Sequence, residues 1–115
     1  MLNATLQDML EEFILVMGQR DVDPDLGIEL IAEEFEEWAI EAEAGDDLAE
    51  LKELTDLVYV AFWRAEMKGF DLMESFRRVH ESNMSKLVDG AAIYNEDGKV
   101  MKGPNYMPPE LGDLV

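Results

Sequence analysis

Residues 26–68 read LGIELIAEEFEEWAIEAEAGDDLAELKELTDLVYVAFWRAEMK, and their punctuation decides the fold. On both sides of Gly45-Asp46-Asp47 the apolar residues recur at helical rather than strand spacing. That tripeptide combines a helix stop with the N-cap of a following helix. One helix is therefore expected from near Leu26 to Ala44, and another from Leu48 to about Lys68, with Gly69 suited to its C′ position. So short a connection makes the two antiparallel neighbours.

The flanks extend this pattern. Leu6, Met9, Leu10, Phe13 and Met17 predict a first helix from about Leu2 to Gly18, followed by a loop through Asp21-Val22-Asp23-Pro24-Asp25. Asp71 is placed to cap a fourth helix reaching roughly to Leu87, before an Asp89-Gly90 turn. Glu96-Asp97-Gly98-Lys99 reads as a further turn, a hairpin candidate, while Gly103-Pro104 and Pro108-Pro109 exclude regular structure. The expected fold is all-α: a four-helix bundle-type protomer forming one domain over 1–115. Its helical core covers about 2–87 and its irregular C-terminal arm about 88–115.

Composition narrows the function. The chain has 27 acidic and 9 basic residues, a formal net charge of −18, yet 48% of it is hydrophobic. A chain this apolar is no disordered acidic tail, and its charge disfavours nucleic acid and anionic membranes as partners. With no cysteine, disulfides and thiolate zinc sites are excluded. The N-terminal residues lack the pattern of a signal peptide and no long apolar run exists, so a cytoplasmic protein is expected. The sequons Asn3-Ala4-Thr5 and Asn83-Met84-Ser85 are then chance matches.

Chemistry concentrates in two acidic motifs. Residues three apart share a helix face, so Glu34 with Glu37 and Glu53 with Asp56 form two carboxylate pairs on neighbouring helices. Leu51, Leu54, Val58, Ala61, Phe62 and Ala65 form the expected core stripe of the third helix. Glu53 and Asp56 lie on roughly the opposite side, which also carries Ala49, Leu57, Val60, Trp63 and Met67. Carboxylates in an apolar setting are costly to ionise without a compensating cation or strong donors. Oxygen donors without Cys or His suit a hard cation, Mg²⁺ or Mn²⁺, rather than zinc. Either motif alone is more often a solvated face, and Glu37 projects well away from the apolar stripe of its helix. Trp63, on the acidic face, is a candidate to stack on a base; Trp38 and His80 are read as packing or capping residues. Arg77 stands where a Glu-x-x-His motif would need glutamate, which argues against a di-iron bundle.

Taken together, Glu33-Glu34-x-x-Glu37, fifteen spacer residues and Glu53-x-x-Asp56 resemble the signature of the all-alpha nucleoside triphosphate pyrophosphohydrolases, the MazG-like group. Val79-His80-Glu81-Ser82-Asn83-Met84-Ser85-Lys86-Leu87 and the stretch from Asp97 to Tyr106 look like one branch of it. The resemblance covers about Ile28 to Leu111. It implies a bundle that works as a dimer or dimer of dimers, with Glu34, Glu37, Glu53 and Asp56 as metal ligands and Glu33 in support. It also implies that Asn83, Lys86, Lys99, Lys102 and Tyr106 contact substrate. Many relatives carry a basic residue ahead of the first motif, where this chain has Gly27-Ile28-Glu29.

The activity implied is hydrolysis of a (deoxy)nucleoside triphosphate to the monophosphate and pyrophosphate. An acidic site binds so anionic a substrate only through cations, here two or three Mg²⁺ (or Mn²⁺) per site. Glu37 and Glu53 are the candidates for general base, with Glu50 a weaker one. No residue reads the base, and a purine (guanine) preference is only a working expectation. The alternatives are phosphoribosyl-ATP pyrophosphohydrolase, with the same chemistry, and a non-catalytic acidic interaction protein.

Overall fold

A computed structural model describes residues 4–115. Among them are four α-helices and no strand: α1 Leu6–Val16, α2 Leu26–Ala44, α3 Asp47–Lys68 and α4 Leu72–Met84, with a 3₁₀ turn at Gly112–Leu114. The chain divides into two compact units, Met1–Leu72 and Met73–Val115. No helix of the described residues is long and apolar enough to cross a membrane.

In the first unit, α1 and α2 both pack on α3. The α2–α3 connection forms as the sequence implies. Gly45 closes α2 in the left-handed conformation (φ 78°) that a side chain would resist. Asp46 then caps α3, its carboxylate accepting from the Ala49 N–H at 3.1 Å. Farther along the pair, Gly27 is buried against α3, and a Cβ there would lie 2.9 Å from Arg64 Cβ. The Arg64 guanidinium passes this gap and donates to the Pro24 carbonyl at 2.6 Å and to Asp25 at 3.0 Å. A cation from α3 thus covers the start of α2.

Three expectations need correction. The first helix begins at Leu6, because Thr5 and Asp8 form a reciprocal capping box; Leu2 and Asn3 lie outside the described residues. Its buried face is Leu10 and Ile14, the latter fully buried, while Leu6, Met9 and Met17 are exposed. The fourth helix stops at Met84 rather than Leu87. Beyond it the bonds tighten to three-residue spacing, Ser85 to Ser82 and Lys86 to Asn83, and the Ser85 hydroxyl donates to the Ser82 carbonyl at 2.6 Å. Most consequentially, α3 turns its predicted core stripe outward over its first half. Leu51 is 61% exposed, and Leu54 and Val58 are exposed too, while Phe62 and Ala65 stay buried. The Glu53–Asp56 side, with Leu57 and Val60, is the half-buried one.

In the second unit the arm is tied back to α4. The Ser82 hydroxyl donates to the Met107 carbonyl at 2.7 Å, and the Met107 N–H donates to Ser85 Oγ at 2.9 Å. Arg78 grips Asp113 through two bonds, 2.6 and 3.0 Å. The expected turns form: Val88 pairs with Ala91 around Asp89-Gly90, and Tyr94 pairs antiparallel with Val100 around Gly98.

Alanine normally improves a helix over glycine by about 1 kcal/mol. At Gly27 we expect the reverse, because the added methyl pushes against the root of the Arg64 side chain. Gly27→Ala should lower stability by about 1–3 kcal/mol in urea unfolding followed by circular dichroism. A stabilised variant would refute this close approach.

Candidate metal centre

The antiparallel register of α2 and α3 brings Glu34, Glu37 and Glu53 together, with one carboxylate oxygen from each lying within 4.8 Å of the others. Glu34 and Glu53 are half-buried, whereas Glu37 is exposed, as its position on α2 predicts. Glu34 Oε2 and Glu53 Oε2 are buried and meet no hydrogen-bond donor. Such orphaned acceptors are unusual in folded proteins and mark a place where a positive charge belongs.

Asp56 stands slightly apart. Lys52 lies one turn before it and donates to Asp56 Oδ2 at 2.5 Å, with Glu53 Oε1 at 3.8 Å. Lys52 is the cation of this cluster, and the sequence reading missed it. The signal was the four-residue spacing to Asp56, which suits a helical ion pair.

Glu34 carries the strain. Its pKa is pushed up to about 7, first by burial and then by the charges of Glu37 and Asp56 and by a contact with the Glu37 carboxyl; Glu53 adds to it. Two carboxyl groups can share a hydrogen bond only while one holds a proton. At neutral pH Glu34 is thus poised between a proton and a cation. The donor set fits Mg²⁺ or Mn²⁺: all oxygen, anionic, with two acceptors that nothing else satisfies.

The other expected residues fall in several places. Glu33 is exposed. Glu50 is half-buried and accepts the Trp38 indole N–H at 2.9 Å, a bond that ties α2 to α3. Trp63 is 3% exposed in the core with Leu10, Ile14 and Phe62, and its indole N–H donates to Gln19 Oε1 at 2.8 Å. Its surroundings are those of a packed residue rather than an open stacking platform. Asn83, Lys86, Lys99, Lys102 and Tyr106 all belong to the second unit. There Asn83 and Lys99 are exposed, Lys86 is half-buried, and the Lys102 ammonium lies 4.8 Å from the Tyr106 ring centroid. His80 is exposed on α4, neither capping nor core.

A carboxylate cluster on an antiparallel helix pair suits a divalent metal, and comparison with known families gives it a class, the all-alpha nucleotide pyrophosphohydrolases. A family model for phosphoribosyl-ATP pyrophosphohydrolase matches residues 18–83, more than half of the chain. The chain belongs to that family, which lies within the same all-alpha superfamily as the MazG-like group. No curated protein matches it. The match supports a pyrophosphohydrolase acting on a nucleotide, and it is to the family named above as the alternative.

The Glu34 shift has a consequence for stability. Its folded-state pKa lies above the unfolded value of 4.5, so the native state binds the proton more tightly. This contribution is fully present below about pH 4.5 and is lost as pH rises through about 7. In chelator, stability should fall between pH 5 and 8 by on the order of 1 kcal/mol from this group, after allowance for its partial exposure. Glu34→Gln should remove that part of the slope, and Mg²⁺ should restore wild-type stability at pH 8. Thermal melts of both proteins at the two pH values, with and without Mg²⁺, test this. Identical slopes in the two proteins would refute it.

Proposed function

We propose that the chain hydrolyses a (deoxy)nucleoside triphosphate to the monophosphate and pyrophosphate, using Mg²⁺ or Mn²⁺ held by Glu34, Glu37, Glu53 and Asp56. The observation that carries this reading is the pair of buried, donor-less oxygens on Glu34 and Glu53 beside Glu37. A bound divalent cation supplies charge stabilisation for the phosphates and for the attacking water. The remaining work falls to side chains. Asp56, bonded to Lys52 in the structure, would complete the ligand set. Glu37, the most accessible of the cluster, takes the proton from water, with Glu53 as the other candidate. Lys86, Lys99 and Lys102 neutralise outer phosphates, and Asn83 and Tyr106 contact the nucleotide.

The family match favours a second reading, phosphoribosyl-ATP as the substrate, cleaved by the same chemistry. The matched stretch ends at residue 83, before the arm that carries Lys99, Lys102 and Tyr106. The arm resembles the MazG-like branch, and for that reason we place a simple triphosphate first. We read 1–115 as one functional domain of a cytoplasmic protein.

The decisive assay offers the common ribo- and deoxyribonucleoside triphosphates and phosphoribosyl-ATP with Mg²⁺ or Mn²⁺, and resolves monophosphate, diphosphate, pyrophosphate and phosphate. Wild type should release monophosphate and pyrophosphate only. Glu53→Gln and Asp56→Asn should each lose about 100-fold or more, since each removes several kcal/mol of charge stabilisation. Turnover of phosphoribosyl-ATP alone would establish the second reading. Turnover of nothing, with no metal binding, would return the protein to the non-catalytic class.

Self-association belongs to the same reading. Leu51, Leu54 and Val58 of α3, with Leu6 and Met9 of α1, leave an exposed apolar face. A small cavity of about 70 Å³ opens between the two helices there. Exposed apolar surface on this scale marks an interaction site. We expect a dimer or tetramer of the 13.1 kDa chain in light scattering, and a monomer from Leu54→Glu. A monomeric wild type would refute it.

A further inference from the structure

Beside the carboxylates lies an open cavity of about 160 Å³, lined by Phe13, Leu30, Tyr59, Val60, Trp63 and Gln19 among others. A cavity of about 150 Å³ is enough to take a single aromatic ring. Its walls are apolar and aromatic, with Phe13 and Tyr59 stacked edge to face at 5.5 Å. Helix register gives its position. Leu30 lies one turn from Glu34 on α2, and Val60 one turn from Asp56 on α3, so these two lining residues stand about 6 Å along the helices from the cluster. Trp63 lies seven residues from Asp56, about 10 Å farther along the axis of α3.

The polar group bonded to Trp63 is unusual. Gln19 sits in the loop after α1, half-buried, its backbone held by the bonds to Ile14 and from Val22. A carboxamide can face either way, but the indole N–H of Trp63 can only donate. The bond at 2.8 Å therefore fixes Oε1 toward Trp63. It leaves the Gln19 NH₂ as a donor with no partner among the described residues. A single oriented donor in the lining of an apolar cavity is a recognition device: it donates to a carbonyl and finds no acceptor in an amino group.

We propose that this cavity takes the nucleobase of the substrate and that Gln19, oriented by Trp63, selects keto bases over amino bases. The proposal rests on the function above. With the phosphates at the carboxylates, the base edge farthest from the sugar is the one that reaches Gln19. That edge carries O6 in guanine and O4 in thymine or uracil, where adenine and cytosine carry an amino group. Trp63 then acts as a positioning residue for Gln19, not as a platform for the base.

The test compares kcat/KM for dGTP against dATP and dTTP against dCTP, in wild type, Gln19→Leu and Trp63→Phe. We expect a keto preference of about tenfold in at least one pair, the effect of one unpaired polar group. Gln19→Leu should bring the pair to within about twofold, chiefly through the keto substrate. Trp63→Phe, which frees the amide to flip, should do the same in part. In parallel, saturation-transfer NMR with deoxyguanosine and deoxyadenosine in chelator reads the cavity without phosphate or metal. Robust turnover without keto preference, or a preference that survives both variants, overturns the proposal while leaving the pyrophosphohydrolase reading intact. If no triphosphate is turned over, that reading fails and the NMR decides. Contact with deoxyguanosine that Gln19→Leu abolishes sustains the pocket, and no contact overturns it.

Discussion

Three carboxylates whose oxygens lie within 4.8 Å of one another repel. At an effective dielectric constant of about 20, two such charges 4 Å apart cost about 4 kcal/mol. Nothing local offsets this fully. Lys52 engages Asp56 and only the edge of Glu53, and Glu34 answers by holding its proton to about pH 7. The α2–α3 pair must therefore be held in register by contacts elsewhere, strongly enough to keep the carboxylates together.

Those contacts bracket the cluster. At one end the bare backbone of Gly27 lets Arg64 cross to Pro24 and Asp25. At the other, the Trp38 indole reaches Glu50, and Gly45 with Asp46 closes the connection. Each contact fixes the register of α3 on α2, and a shift of one residue would put at each level a side chain that points about 100° farther around the axis. The site is thus built from outside inward, with position fixed by neutral or paired contacts and charge left uncompensated in the middle. That is the order a metal centre requires, since ligands that satisfied one another would have no reason to bind a cation.

Much of this was legible in the sequence. Gly45, Asp46 and Gly69 are residues whose backbone preferences are strong and local, so the bounds of α2 and α3 follow from them directly. The two acidic pairs follow from helix spacing. Which side of α3 faces inward did not follow, because Leu51, Leu54 and Val58 are as apolar as any core stripe, and periodicity reports a face without naming what covers it. The ionic face, half-buried with Leu57 and Val60, is the inward one. Ile14 was missed because its neighbours Leu15, Val16 and Met17 blur the pattern of α1. The end of α4 was missed because Ser85, a weak helix breaker by propensity, turns its hydroxyl back onto the Ser82 carbonyl. Gln19 gave no signal at all, since its role arises from a partner 44 residues away.

The basic residues show how the chain spends its few positive charges. Of nine, Lys52, Arg64, Arg77 and Arg78 are engaged by carboxylates. The pairing holds the Glu74 carboxyl at about 2. In a chain with three acids for every base, an unpaired lysine is harder to arrange than a paired one. Yet Lys86 and Lys99 have no carboxylate partner among the described residues, and Lys102 faces the Tyr106 ring instead. All three stand in the second unit, on or just before the arm that Ser82, Ser85 and Arg78 fasten to α4. Cations left unneutralised amid such an excess of acid are where an anionic ligand gains most, because binding it sacrifices no existing ion pair. The arm is therefore the part of this chain best able to meet phosphate, just as the α2–α3 pair is the part best able to meet metal.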